Sequence, residues 1–323
     1  MKNKFVSLTT GLVVVFAMVA FFISCNSGET GNGLDNGKAD SIKQMIERGK
    51  YLANDVSGCI DCHSQRDYTK FSGLIVKGTE GKGGEIFNEI YDIPGVVFAR
   101  NITPDTLNGI GKWTDDEIAN AITKGINKNG DTLYPIMPYP HYNQMSKDDI
   151  YSIIAYLRTL SPSNNKVPDR FLTIPMSVAY PVLLSSSLEN NIKPDVTDKV
   201  KYGAYMVNSA NCMDCHTPKE NGKYVISKLF SGGFTFNMGS FKANSANITP
   251  DSLTGIGKWN EEMFLDKFKT CRDPAKYVSN PGKVNSIMPW SLFANMTDSD
   301  IKAIFSYLRT VPPINNLVEK YPK

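Results

Sequence analysis

Histidine is scarce in this chain. There are three in 323 residues, so each can be weighed individually. Cysteine is sparse too, six in all, far below the density of a disulfide-stapled scaffold. Charge of one sign is not in excess: 35 Lys/Arg against 32 Asp/Glu leave a formal +3, too little for a nucleic-acid footprint. No long period-2 alternation appears, which argues against sheet-built domains. Usage is otherwise ordinary for a globular chain, 41% hydrophobic and 21% charged, so wholesale disorder is excluded. At about 150 residues per domain the length predicts two.

A long apolar run, Phe5 to Ile23, opens the chain behind Lys2 and Lys4. It ends in Ser24-Cys25 and is followed by a Gly/Asn/Asp-rich stretch to Asp40. This pattern resembles a bacterial lipoprotein signal, with Phe22 where Leu is usual. The resemblance implies removal of residues 1–24, lipidation of Cys25 and a flexible tether over 25–40. The other reading is an uncleaved anchor, because nineteen apolar residues can just span a bilayer. Both readings predict an exported protein, membrane-anchored on the periplasmic or extracytoplasmic side.

The remainder is one unit written twice. Cys59-Ile60-Asp61-Cys62-His63 recurs 153 residues later as Cys212-Met213-Asp214-Cys215-His216. Asn101-Ile102-Thr103-Pro104-Asp105 recurs at Asn247 to Asp251, and Gly109 to Trp113 recurs at Gly255 to Trp259, both 146 residues on. Ile136-Met137-Pro138 and Tyr156-Leu157-Arg158 recur 151 residues on. Constant order with small drift marks a duplication of domain size.

Within each unit the apolar spacing predicts a helix over Ser41 to Ala53, matched by Val200 to Val207. Thr114, followed by three acids, opens a second helix. Ser146 and Thr297, each with Asp three residues on, open the last ones. The fold class expected is all-α with long loops: a first domain over 41–162, a strap over 163–197, a second domain over 198–315 and a tail over 316–323. The strap is polar at its ends but apolar from Phe171 to Leu183, so it should pack against one or both domains.

Cys-x-x-Cys-His is the attachment pattern of c-type haem: two thiols at fixed spacing for the two vinyl groups, and a histidine beneath the iron. A thiol redox pair and half a zinc site are the other readings, but neither needs the histidine. The cofactors expected are therefore two covalent haem c groups, on Cys59/Cys62 and Cys212/Cys215, with His63 and His216 as axial ligands. For the sixth position the candidates are Met137 and Met288, each followed by Pro and an aromatic residue. His141 is a rival at the first iron, but its counterpart is Leu292, and a duplicated site should keep its ligand. Met145 and Met296 are also duplicated; they directly precede the last helices and read as packing residues.

Each unit resembles a class I cytochrome c domain: Gly-x-Tyr on the first helix, Cys-x-x-Cys-His, Gly-Ile-x-x-Trp, Met-Pro, and a last helix with Tyr-Leu-Arg. Asn-Ile-Thr-Pro-Asp and Leu-Tyr-Pro-x-Met-Pro-Tyr are similar to phrases in the cytochrome c subunits of bacterial membrane-bound alcohol, sugar-acid and aldehyde dehydrogenases. The resemblance covers about 41–162 and 198–315. It implies two class I domains in tandem, with Trp113 and Trp259 donating to haem propionates. Those subunits often carry three haems, whereas two motifs stand here.

A six-coordinate His/Met haem offers no open position for substrate, and methionine raises its potential relative to histidine. The implied role is an electron carrier rather than an enzyme. Its expected partners are a dehydrogenase or quinol-oxidising complex on one side and another cytochrome or terminal oxidase on the other. A dihaem peroxidase and a wiring subunit without an independent role are the alternatives; a peroxidase needs unequal sixth ligands, yet both units keep Met-Pro. The first unit carries 13 basic and 15 acidic residues, the second 14 and 10, so the second suits an acidic partner. The lone Cys271 reads as a buried thiol without a disulfide partner.

Overall fold

In the computed structural model the described residues are 32–179, 188–220 and 223–322. The signal segment 1–24 and Cys25 lie outside them. The chain divides into two units after Asp40, and the second, Ser41–Lys323, contains both copies of the repeat. Residues 32–40, expected as part of a tether, are assigned to helix α1, Asn32–Tyr51.

Two glycines set the helix crossings. A Cβ on Gly49 of α1 would lie 1.7 Å from the Ser152 carbonyl oxygen on α5, Lys147–Leu157. A Cβ on Gly203 of α7, Lys199–Ser209, would lie 1.9 Å from the Ala303 carbonyl oxygen on α11, Asp298–Leu308. In each half, first and last helices therefore cross backbone to backbone, and only glycine permits it. After Tyr51 the first helix continues as a π-helical turn, Leu52–Val56, which turns Leu52, Ala53 and Val56 into the core.

Short helices complete the repeat. α2, Cys59–Cys62, and α8, Cys212–His216, carry the duplicated motif, and α4, Tyr139–Tyr142, and α10, Trp290–Phe293, follow the Met-Pro pairs. α3, Asp115–Lys124, is closed by a capping box between Thr114 and Glu117; its counterpart α9, Glu261–Lys269, is capped by Asn260. Ser146 and Thr297 cap α5 and α11 by accepting from the backbone of Asp149 and Asp300. A last short helix, α6, Met176–Ala179, lies in the strap.

The all-α expectation is corrected by the strands. Among the described residues about 40% are helical, and four small antiparallel sheets make the architecture mixed. They pair β1, Arg66–Asp67, with β2, Leu74–Ile75; β3, Ile86–Phe87, with β4, Gly95–Phe98, and β4 in turn with β5, Phe171–Leu172; β6, Lys219–Glu220, with β7, Lys223–Tyr224; and β8, Thr235–Asn237, with β9, Lys242–Asn244. Strands of two to four residues are too short for a period of two to register in sequence, so the alternation test could not see them.

The third strand of the larger sheet comes from the strap. Phe171 and Leu172 pair with Val96 and Gly95, and Leu172 packs on Phe87, Ile93 and Val97. Farther along, Asn191 donates to the carbonyls of Asn143 and Met145. Tyr180, Val182 and Leu183 lie outside the described residues. One continuous apolar core runs through both halves, from Leu52 and Ile153 to Met206 and Ile304, with Met145 and Met296 wholly buried in it.

Candidate haem sites

Cys59 and Cys62 lie one helical turn apart, the spacing that puts two side chains on one face. The turn starts from Gly58 at φ +67°, and its counterpart from Asn211 at φ +53°. Cys59, Cys62 and His63 line a cavity of about 940 Å³ together with Trp113, Met137 and Tyr142. The first half thus brings its predicted attachment, axial and propionate residues to one concave apolar space. The volume lies within the range of cofactor pockets. In the second half, Cys212, Trp259 and Met288 pack against the shared core, half-buried.

Both histidines are seated alike. His63 Nδ1 lies 2.6 Å from the Arg100 carbonyl and His216 Nδ1 lies 2.7 Å from the Ala246 carbonyl. A carbonyl can only accept, so Nδ1 donates and Nε2 keeps its lone pair, the tautomer of a metal-ligating histidine. Backbone bonds hold each from the other side: Gly83 N donates to the His63 carbonyl at 2.8 Å and Gly232 N to the His216 carbonyl at 2.7 Å. Burial pushes both imidazoles below their ordinary value, against the opposing pull of the carbonyl. The neutral form that a metal needs is thereby favoured. Enclosure by protein also pushes the four motif thiols up to about 12, although Cys62 and Cys215 keep exposed surface.

His141 does not line that cavity. It crosses to the other half, with Nδ1 2.9 Å from Asn208 Oδ1 and Nε2 2.7 Å from Asp214 Oδ1. Asn208 Nδ2 donates to the His141 carbonyl at 2.8 Å, which fixes the amide orientation. Both ring nitrogens therefore face acceptors, the arrangement of an imidazolium, and no lone pair is left for a metal. Burial pulls the imidazole down, but Asp214 and Asn208 outweigh it and the net shift is upward.

The duplicated phrases hold the loops of these sites. Asn101 Oδ1 accepts from Thr103 N at 3.0 Å and Asn247 Oδ1 from Thr249 N at 2.9 Å, while both amides reach into the segment after the last helix. Asp105 and Asp251 accept from the backbone two and three residues on. Arg158 Nη1 donates to the Ile110 carbonyl at 3.0 Å and Arg309 Nη1 to the Gly257 carbonyl at 2.8 Å, tying each tryptophan segment to its last helix. The Tyr-Leu-Arg repeat was visible in the sequence; this use of its arginine was not.

No disulfide joins any of the five described cysteines, and no group of three or more His, Cys, Asp or Glu suited to a metal ion occurs among the described residues. Cys271 is half-buried, its sulfur 3.8 Å from the Lys267 carbonyl.

Residues 200–312 match the cytochrome c family model. This chain carries a cytochrome c domain. It is similar to the cytochrome c subunit of quinone alcohol dehydrogenase from Gluconobacter oxydans, 30% identical over 85% of this chain and 56% of that subunit. The gluconate 2-dehydrogenase cytochrome c subunit of Pantoea cypripedii is 28% identical over 83% of this chain and 59% of its own length. A diheme c-type cytochrome of Cereibacter sphaeroides is 26% identical over 80% of this chain and 83% of its own. The chain spans a little over half the length of these two dehydrogenase subunits. The cytochrome c domain implies covalently bound haem c.

Proposed function

We propose that the protein is a dihaem electron carrier. Cys59 and Cys62 with His63 and Met137 would hold one haem c, and Cys212 and Cys215 with His216 and Met288 a second. The observation that carries this reading is the duplicated histidine seat, 2.6 Å and 2.7 Å from a backbone carbonyl, with Met137 lining the same cavity as His63 in the first half. When bound, haem supplies a one-electron Fe(II)/Fe(III) couple. The protein's part is to orient, enclose and tune it. The Arg100 and Ala246 carbonyls set the ligand tautomer and raise its basicity. Apolar walls disfavour the extra charge of the ferric state. The indoles of Trp113 and Trp259 would donate to the haem propionates.

Electrons pass from a dehydrogenase or quinol-oxidising complex to a further cytochrome or terminal oxidase. The named dehydrogenase subunits among the relatives support this placing. The chain is exported and held on the outer face of a membrane through Cys25, the reading that the apolar run ending in Ser24-Cys25 supports. A pyridine haemochrome assay and a redox titration of the purified protein test the reading. Two haems per chain and two reversible one-electron waves are expected. One haem per chain, or rapid cyanide binding with peroxide turnover by the untreated protein, overturns it.

A further inference from the structure

The methionine segment of the second half is held by a residue of the first. Ser72 is fully buried, and its hydroxyl donates to the Met288 carbonyl at 2.7 Å and accepts from Trp290 N at 2.9 Å. A hydroxyl is both donor and acceptor, so one side chain brackets Met288-Pro289-Trp290. Ser72 N donates in turn to Asn285 Oδ1 at 3.0 Å, and Asn285 Nδ2 donates to the Tyr68 carbonyl at 3.0 Å.

Ser72 sits at φ +68°, a left-handed conformation that a non-glycine residue adopts only when its surroundings impose it. The imposing group is Arg66. Its Nη2 donates to the Ser72 carbonyl at 2.6 Å and its Nε to the Gly73 carbonyl at 2.8 Å. Its Nη1 pairs with Asp61 at 2.7 Å, both side chains nearly solvent-free. Asp61 lies between Cys59 and Cys62. A continuous polar chain thus runs from the first attachment motif through Arg66 and Ser72 to the backbone of Met288.

We propose that Ser72 is a positioning residue for Met288 and that Asp61 and Arg66 hold it there, so that sulfur ligation at the second iron depends on the first half of the chain. This rests on Met288 being that iron's sixth ligand. Removing the hydroxyl leaves the half-buried Met288 carbonyl and Trp290 N–H with their 2.8 Å bond to each other but no cross-half partner, and the methionine segment loosens.

The test uses the full-length haem-loaded protein and its weak sulfur-to-iron charge-transfer band at the red end of the ferric spectrum. In a Met137→Ala background the remaining band reports Met288 alone. Adding Ser72→Ala should let imidazole displace that ligand at a concentration about tenfold lower. In a Met288→Ala background the same change should leave the first site's band and its imidazole titration unmoved, which general destabilisation would not do. Arg66→Lys keeps the charge beside Asp61 but loses the fork, and should give a smaller shift in the same direction, about threefold; it serves if Ser72→Ala does not fold. Unchanged imidazole titration in Met137→Ala/Ser72→Ala, or equal weakening at both sites, overturns the positioning role. If Met288→Ala alone leaves the band at full strength, the ligand assignment falls and takes the proposal with it.

Discussion

Asp61 and Asp214 occupy the same place in the two attachment motifs, 153 residues apart, and they are used differently. Asp61 pairs with Arg66 of its own half, whereas Asp214 accepts from His141 of the other half at 2.7 Å and from the Tyr224 hydroxyl at 2.8 Å. The seats of His63 and His216, close by in the same motifs, did not diverge. Both halves keep the same seat, a ring nitrogen 2.6 Å or 2.7 Å from a backbone carbonyl. The surface where the halves meet tolerates any set of groups that satisfies its donors and acceptors.

The first-helix tyrosines show both behaviours. Each reaches across to the other half's last helix: Tyr51 donates to Asp300 at 2.5 Å and accepts from Thr297 N, and Tyr205 donates to Asp149 at 2.7 Å and accepts from Ser146 N. This reciprocal pair is the internal equivalent of a two-fold dimer contact. Asp149 has an additional partner, Arg48, which grips it with two bonds of 2.9 Å and 2.7 Å. At the equivalent place in the second half stands Tyr202.

The comparison can be broken most strongly at Arg48. Arg48→Ala leaves the buried Asp149 carboxylate with only the more distant Lys193, at 3.9 Å, as its cation and should cost about 3 kcal/mol, whereas Tyr202→Phe at the equivalent place should cost less than about 1 kcal/mol. Chemical denaturation measures both. The same variant changes the pH response. Burial raises the Asp149 carboxyl, but Arg48 and Tyr205 outweigh it and hold it below the usual range. Stability from this group is complete above the unfolded carboxyl value, about 4, and is lost as pH falls through the lower folded value. Arg48→Ala should flatten that acid limb; an unchanged limb would show that Asp149 does not carry it.

Next come the glycines. Gly49→Ala and Gly203→Ala should each cost about 3 kcal/mol, because both push a Cβ into a carbonyl of the crossing helix. Equal losses confirm that the crossing was kept by duplication; a neutral variant in either half would show that its crossing can relax.

A smaller difference is expected at the tyrosines. Tyr51→Phe should cost about 2 kcal/mol and Tyr205→Phe about 1 kcal/mol, since Asp149 retains Arg48. The double variant should depart from additivity if the two form one interface.

The smallest effect is His141→Leu, which installs the residue of the other half. A loss of about 1 kcal/mol is expected, with the haem spectrum unchanged because both ring nitrogens are engaged away from the cavity. Loss of low-spin character at one haem would make His141 a ligand and sink the assignment of Met137.

Spacing alone was enough for the duplication, the attachment motifs, the helix caps at Thr114, Ser146 and Thr297, and the choice of Met137 and Met288 as candidates, because these are local chemical constraints. The strands escaped because a pairing of two to four residues is closed by distant backbone, as when Phe171 meets Val96 across the fold. The uses of Arg158, Arg66 and Ser72 escaped for a related reason: most of their partners are backbone carbonyls and amides, which no sequence pattern marks. His141 is the sharpest case. Its lack of a counterpart in the second half argued against a ligand, yet its bonds to Asn208 and Asp214 could be known only once the halves were packed. Within each half, covalent spacing determined where the chemistry sits; between the halves, hydrogen-bond satisfaction at a buried surface decided what holds it.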